Sequence, residues 1–131
     1  MQPKIALITI LTDDVPGLAG FYTEVLGFET VSEEDEYVEL RSEGVRFALC
    51  DRSVMAKVTD HPGYRERRSG QTFELAFPLD SPEAVDQAYA EILVKGGIPV
   101  KAPNTMPWGQ RTAFFADPDG NIHELFSDLH D

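Results

Sequence analysis

Asp14-Val15-Pro16-Gly17-Leu18-Ala19-Gly20-Phe21-Tyr22-Thr23-Glu24-Val25-Leu26-Gly27 decides the fold, because its pattern occurs twice. Leu18, Phe21, Tyr22, Val25 and Leu26 recur at i, i+3, i+4, i+7 and i+8, one apolar stripe along a helix. Val85, Ala88, Tyr89, Ile92 and Leu93 repeat that stripe, each 67 residues after its counterpart, as Val85 stands to Leu18. Asp14 and Ser81 keep the same spacing. Each supplies a capping oxygen, and each is followed closely by a proline that the first helical turn tolerates. Gly27 closes the first helix and Gly96-Gly97 the second, since glycine accepts the left-handed conformation beyond a helix end.

Strand-like runs surround both helices. Ile5 to Thr12 and Thr72 to Leu79 precede them. Phe28 to Ser32, Tyr37 to Arg41 and Val45 to Asp51 follow the first, and Pro99 to Ala102, Arg111 to Ala116 and Asn121 to Phe126 follow the second. Asp117-Pro118-Asp119-Gly120 is a chemically specified turn, with proline setting φ and glycine supplying a positive one. The pattern predicts an α+β chain of two tandem βαβββ modules, residues 1–51 and 71–131, joined by a polar linker or lid at 52–70. Half a chain buries too little apolar surface alone, so the modules are expected to share one core within a single domain, 1–131.

Composition narrows the function. Eleven Lys and Arg against 23 Asp and Glu leave a net charge of −12, which opposes any phosphate-tracking groove and argues against nucleic acid. The longest early apolar run, Ile5 to Leu11, is too short to span a bilayer and lacks the features of a signal peptide, so no membrane role is expected. The single cysteine, Cys50, closes no disulfide within the chain and fits a reducing, cytoplasmic setting. With no neighbouring His or Cys it reads as a small hydrophobe. The acidic run Glu33 to Glu36 reads as a solvated turn.

Phe21-Tyr22-Thr23-Glu24-Val25-Leu26-Gly27-Phe28, Pro107-Trp108-Gly109-Gln110-Arg111 and Asp117-Pro118-Asp119-Gly120-Asn121-Ile122-His123-Glu124-Leu125, in that order and with the repeat, resemble the glyoxalase/bleomycin resistance/dioxygenase superfamily, the vicinal oxygen chelate fold. The resemblance covers nearly the whole chain. It implies a curved mixed sheet around a cleft with helices outside, and commonly a homodimer. It does not choose among the lyases, epimerases, dioxygenases and drug-binding proteins built on that scaffold.

The resemblance also implies ligand positions on the first and last strand of each module. These fall on Leu7, Ala48, Glu74 and Glu124. A leucine and an alanine bind no cation, and two carboxylates leave most of a divalent ion's coordination sphere to water. No metal or other cofactor is therefore expected, the alternative being a weakly held divalent ion. A ring-cleaving dioxygenase needs two histidines and a carboxylate around iron, yet the histidines are His61 in the linker, His123 on the opposite strand face from Glu124, and His130 near the end.

Ordinary structural roles compete for each candidate. Glu74 fits a solvated strand face as well as it fits a cleft, while Glu124 shares its face with Ile122 and Phe126 and fits exposure less well. Trp108 reads equally as a core plug or a cleft wall. Arg111 steers an anionic ligand or, more simply, pairs with a nearby carboxylate. Phe114 and Phe115 alternate across the sheet, so one lines the cleft; the sequence leaves open which, and Phe115 is carried as the candidate.

Two function classes remain. One is a metal-independent module that binds a cationic or amphipathic small molecule, possibly a drug, through Glu74 and Glu124, with Leu7, Ala48, Trp108, Arg111 and Phe115 around them. The other is a lyase or isomerase of the glyoxalase or epimerase type, with Glu74 and Glu124 as candidate catalytic residues that hold a divalent metal or act as an acid and base pair. The missing ligands favour the binding module. A scaffold with a decayed cleft is the residual reading.

Overall fold

The computed structural model describes residues 1–129, so the expectation for His130 lies outside the described residues. The chain forms two compact units, Met1–Ser69 and Gly70–Asp131.

Unit 1 runs β1 (Leu7–Thr12), α1 (Val15–Gly20), β2 (Thr30–Glu34), β3 (Tyr37–Leu40), β4 (Arg46–Asp51) and α2 (Arg52–Thr59). Its sheet order is β1-β4-β3-β2, with β1 parallel to β4 and the other pairs antiparallel. Helix α1 packs on β3 and β4. Its stripe buries Leu18, Phe21 and Tyr22 with Ile10, Val38, Leu40, Phe47 and Leu49. Tyr22 is wholly buried, its ring 5.4 Å from that of Phe47 and 5.7 Å from that of Phe21.

The first helix departs from the expected regular α-helix, for Phe21–Val25 is a π-turn. Thr23 supplies a reason: its hydroxyl donates to the carbonyls of Ala19 (2.9 Å) and Gly20 (3.3 Å), which the α-helical ladder would use. The ladder widens, and the Leu26 N–H reaches back to the Phe21 carbonyl at 3.3 Å. The acidic run is also redistributed. Glu33 and Glu34 extend β2, and only Asp35 and Glu36 make the hairpin turn. Residues 52–70 are not a plain linker, since they hold α2 and a 3₁₀ turn at Pro62–Arg65. The Asp51 carboxylate caps α2 by accepting from the Ser53 N–H at 2.9 Å.

Unit 2 runs β5 (Ala76–Pro78), α3 (Pro82–Val94), β6 (Ile98–Met106), β7 (Gln110–Ala116) and β8 (Ile122–Asp128), in sheet order β5-β8-β7-β6. It repeats the parallel first-to-last pairing and the two antiparallel pairs of unit 1. Helix α3 packs on β6, β7 and β8, and its Val85 and Ile92 are buried, as are Ala113, Phe115, His123 and Leu125 on the strands. β5 is shorter than the expected Thr72 to Leu79, and β6 is longer than Pro99 to Ala102. None of the helices among the described residues is long and apolar enough to cross a membrane.

Both anticipated caps are made. Asp14 Oδ1 accepts from the Gly17 N–H and Ser81 Oγ from the Ala84 N–H, each at 3.1 Å. Replacing Ser81 by alanine is expected to lower the unfolding free energy by about 1 kcal/mol, and by glycine a few tenths, as read by urea denaturation. A loss of only a few tenths for the alanine variant would show that the hydroxyl does not cap α3.

Candidate functional site

Alternation along β8 sets the site. His123 and Leu125 are buried at 0% and 3% exposure, so Glu124 between them projects from the opposite face, where it is half-buried. Its register partners are Ala76 on β5 and Phe114 on β7. Ile122 and Phe126 flank it two residues away on the same strand.

Glu74 arrives from the chain just before β5. The Glu124 N–H donates to the Leu75 carbonyl at 2.9 Å, which draws this segment against β8. The Glu74 side chain lies close enough to Glu124 to act on its titration. Glu124 accordingly titrates above its ordinary value of 4.5, first because burial disfavours its charge, then because of the hydrogen bond to Glu74 and the negative charge of that neighbour. Glu74 is itself exposed, yet it meets Glu124.

The other expected residues of unit 2 have contacts of their own. Phe115 is wholly buried on the α3 side, 5.8 Å ring to ring from His123. The aromatic beside Glu124 is therefore Phe114, because residues in register share a face and Phe115 is one step out of phase. Arg111 also lies on the α3 side. Its Nε donates to Asp86 Oδ1 at 2.7 Å, its second terminal nitrogen to Oδ2 at 3.2 Å, and its first to Thr105 Oγ1 at 3.0 Å. The guanidinium is thus engaged within the unit. Trp108 sits in the turn between β6 and β7, 65% exposed, its indole N–H donating to the side chain of Gln110 at 3.0 Å, so it is no core plug of its unit.

Leu7 and Ala48 belong to β1 and β4 of unit 1. Strand pairing gives their equivalence a physical basis: Thr9 pairs with Ala48 as Ala76 pairs with Glu124, so alanine occupies in unit 1 the place of Glu124. The position matching Phe114 is Glu39, paired with Ala48. That carboxylate is held in a two-point ion pair by Arg46, at 2.6 and 3.0 Å, which keeps it below its ordinary titration range. Cys50 is buried, and burial raises its thiol above the ordinary value.

Of three residues that shape the site, the sequence leaves Phe114 undecided against Phe115 and gives no role to Gln71 or His123. Phe114 was recoverable by folding the strands about the Asp117 turn, which pairs it with Glu124. Gln71 has no strand signal of its own. His123 was set aside because it faces away from Glu124, yet its Nδ1 accepts the Leu75 N–H at 3.1 Å.

Sequence and structure comparisons agree with this fold. The profile of the Glyoxalase/Bleomycin resistance protein/Dioxygenase superfamily matches residues 4–125. The chain belongs to that superfamily. Protein YraH of Bacillus subtilis (strain 168) is 29% identical over 133 residues, covering 96% of this chain and 99% of that one. A glyoxalase/bleomycin resistance protein/dioxygenase from Nocardioides superposes with a TM-score of 0.86 at 30% identity, over 99% of this chain and 86% of the other. A lactoylglutathione lyase from Agrobacterium tumefaciens shares the fold at a TM-score of 0.74 and 23% identity, over 97% and 95% of the two chains.

Metal-using members of this superfamily set a chemical test for the donor set. Among the described residues no three His, Cys, Asp or Glu side chains are grouped to hold an ion. Glu74 and Glu124 alone are two oxygen ligands, and hydrocarbons occupy the two remaining inherited positions. These residues do not fit a protein-held divalent ion.

The raised titration of Glu124 bears on stability. The folded state binds this proton more tightly than the unfolded chain, so stability falls as pH rises from below 4.5 through the folded value. Glu124→Gln keeps a donor for Glu74 and removes the charge. Its Tm is expected to exceed that of the unsubstituted chain at pH 7, with the gap closing below about pH 4 in thermal melts across pH. A lower Tm for the variant at pH 7 would mean that the fold stabilises the Glu124 anion.

Proposed function

We propose that this superfamily member is a metal-independent binding protein for a small cationic or amphipathic molecule with a flat apolar part. The carboxyls of Glu74 and Glu124, brought close where the Glu124 N–H binds the Leu75 carbonyl, carry the reading. Two carboxyls this close resist joint ionisation, and a cationic group placed between them relieves the repulsion while accepting charge-assisted hydrogen bonds. Phe114, Phe126 and Ile122 on the same strand face offer apolar surface to the rest of such a ligand. The net charge of −12 raises the encounter rate with a cation. A cytoplasmic homodimer is part of this proposal.

A second reading draws on the same proton. A lyase or isomerase of the glyoxalase or epimerase type would use Glu124, protonated more readily than an ordinary carboxyl, and Glu74 as an acid and base pair on a carbon acid. The likeness to the lactoylglutathione lyase concerns fold alone at 23% identity and does not choose between the two readings.

Calorimetric titration with benzamidinium, a planar aromatic cation, and with neutral benzamide separates charge from shape. Benzamidinium is expected to bind and benzamide not. Glu124→Gln should weaken benzamidinium binding about tenfold to a hundredfold, the loss of one hydrogen bond between charged groups. The cation competes with the proton on Glu124, so affinity should fall as pH drops toward 4.5. Equal binding of the two probes would overturn the proposal, as would near-stoichiometric uptake of Mn²⁺ or Ni²⁺ with a rise in Tm.

A further inference from the structure

The two units differ at one place that bears directly on Glu74. In unit 1 the first strand pairs with the last over six residues, beginning at Leu7 against Arg46. In unit 2 the same pairing spans three residues and begins at Ala76 against Glu124. The rung that would set Glu74 beside Ile122, as Leu7 sits beside Arg46, is not made.

Side chains take its place. Gln71 Oε1 accepts from the Ile122 N–H at 3.0 Å, and Gln71 Nε2 donates to the Ile122 carbonyl at 2.8 Å. A primary amide thus presents to β8 the donor and acceptor that a neighbouring strand would offer. The same Nε2 also donates to the Phe73 carbonyl, curling the segment back on itself. Two residues further along, Leu75 is bound to β8 at both ends: its carbonyl accepts from the Glu124 N–H at 2.9 Å and its N–H donates to His123 Nδ1 at 3.1 Å.

We propose that Gln71 and His123 form a side-chain clasp in place of the missing rungs, and that His123 is the positioning residue that holds the segment bearing Glu74 against β8 beside Glu124. This inference rests on reading the Glu74–Glu124 pair as the binding site. It requires one tautomer of His123. Nδ1 accepts a hydrogen bond, so the proton sits on Nε2, which faces Asp117 Oδ2 at 3.8 Å. Asp117 is held in turn by the N–H groups of Asp119 and Asn121 and by the Asn121 side-chain amide, at 2.8 to 3.0 Å. The rings of Phe77 and Phe115 complete the enclosure of the imidazole at 6.1 and 5.8 Å. A wholly buried histidine so enclosed adopts few orientations, and its acceptor nitrogen fixes the backbone one residue from Glu74.

Nuclear magnetic resonance of the full chain without ligand tests this. The ¹⁵N shifts of His123 should show an unprotonated Nδ1. His123→Leu, which is apolar and suits the surrounding rings, should speed exchange of the Leu75 amide about fivefold to tenfold, the loss of one hydrogen bond. It should also lower the titration midpoint of the Glu124 carboxyl part of the way toward 4.5, because Glu74 is released while burial remains. His123→Asn puts a carbonyl oxygen near the place of Nδ1 and should restore both readouts, which a role in packing alone would not predict. A folded His123→Leu variant whose Glu124 midpoint is unchanged overturns the proposal. If that variant fails to fold, Gln71→Ala, at an exposed position, decides by the same midpoint. Because both readouts are taken without ligand, a chain that binds no benzamidinium overturns the functional proposal separately.

Discussion

The Asp117 carboxylate is the constraint on which the site depends. It is wholly buried, accepts from two backbone N–H groups and one side-chain amide, and so fixes the turn between β7 and β8. That turn sets the strand register, with Ala116 opposite Ile122 and Phe114 opposite Glu124. A slip of one residue would send Glu124 under α3 and bring His123 to the other face. The burial of a carboxylate is tolerable here because its oxygens are occupied by donors from the loop it organises. Position on one strand face is therefore enforced by a polar turn, and the acidic pair is a consequence of that register.

Duplication made the two sheets alike and left their inherited positions free to diverge. Where unit 2 carries Glu124, unit 1 carries Ala48, and where unit 2 carries Phe114, unit 1 carries Glu39 bound by Arg46. The substitutions act together. Unit 1 neutralises Glu39 within the sheet, whereas in unit 2 the half-buried Glu124 has a second carboxyl as neighbour, which raises its titration. Charge in excess of local partners is what distinguishes a recognition surface from an internal ion pair. Superfamily membership accounts for the scaffold, and these residues account for how the two sheets differ in charge.

Much of the fold was legible because helix and strand periodicities are local signals. The stripes beginning at Leu18 and Val85, the caps Asp14 and Ser81, and the Asp117 turn each depend on residues a few positions apart. The misreadings have equally specific causes. A Thr23 hydroxyl competing for carbonyls widened the first helix. Asp51 capped a helix inside what read as a linker, since an N-cap in a polar stretch looks like any loop aspartate. β5 lost its early rungs to Gln71 and His123, whose hydrogen bonds join positions about fifty residues apart and leave no periodic trace.

By itself, the amino-acid order determined the repeated βαβββ pattern and the acidic balance, because side-chain type and short-range spacing carry that information. Only the tertiary structure decided that Glu74 and Glu124 meet, that Phe114 rather than Phe115 stands beside them, and that Arg111 is committed to Asp86. Those outcomes turn on strand register and on hydrogen bonds between distant segments. Strand alternation lets a shift of one residue exchange the two faces, and nothing in the composition of a strand records which register its partner adopts.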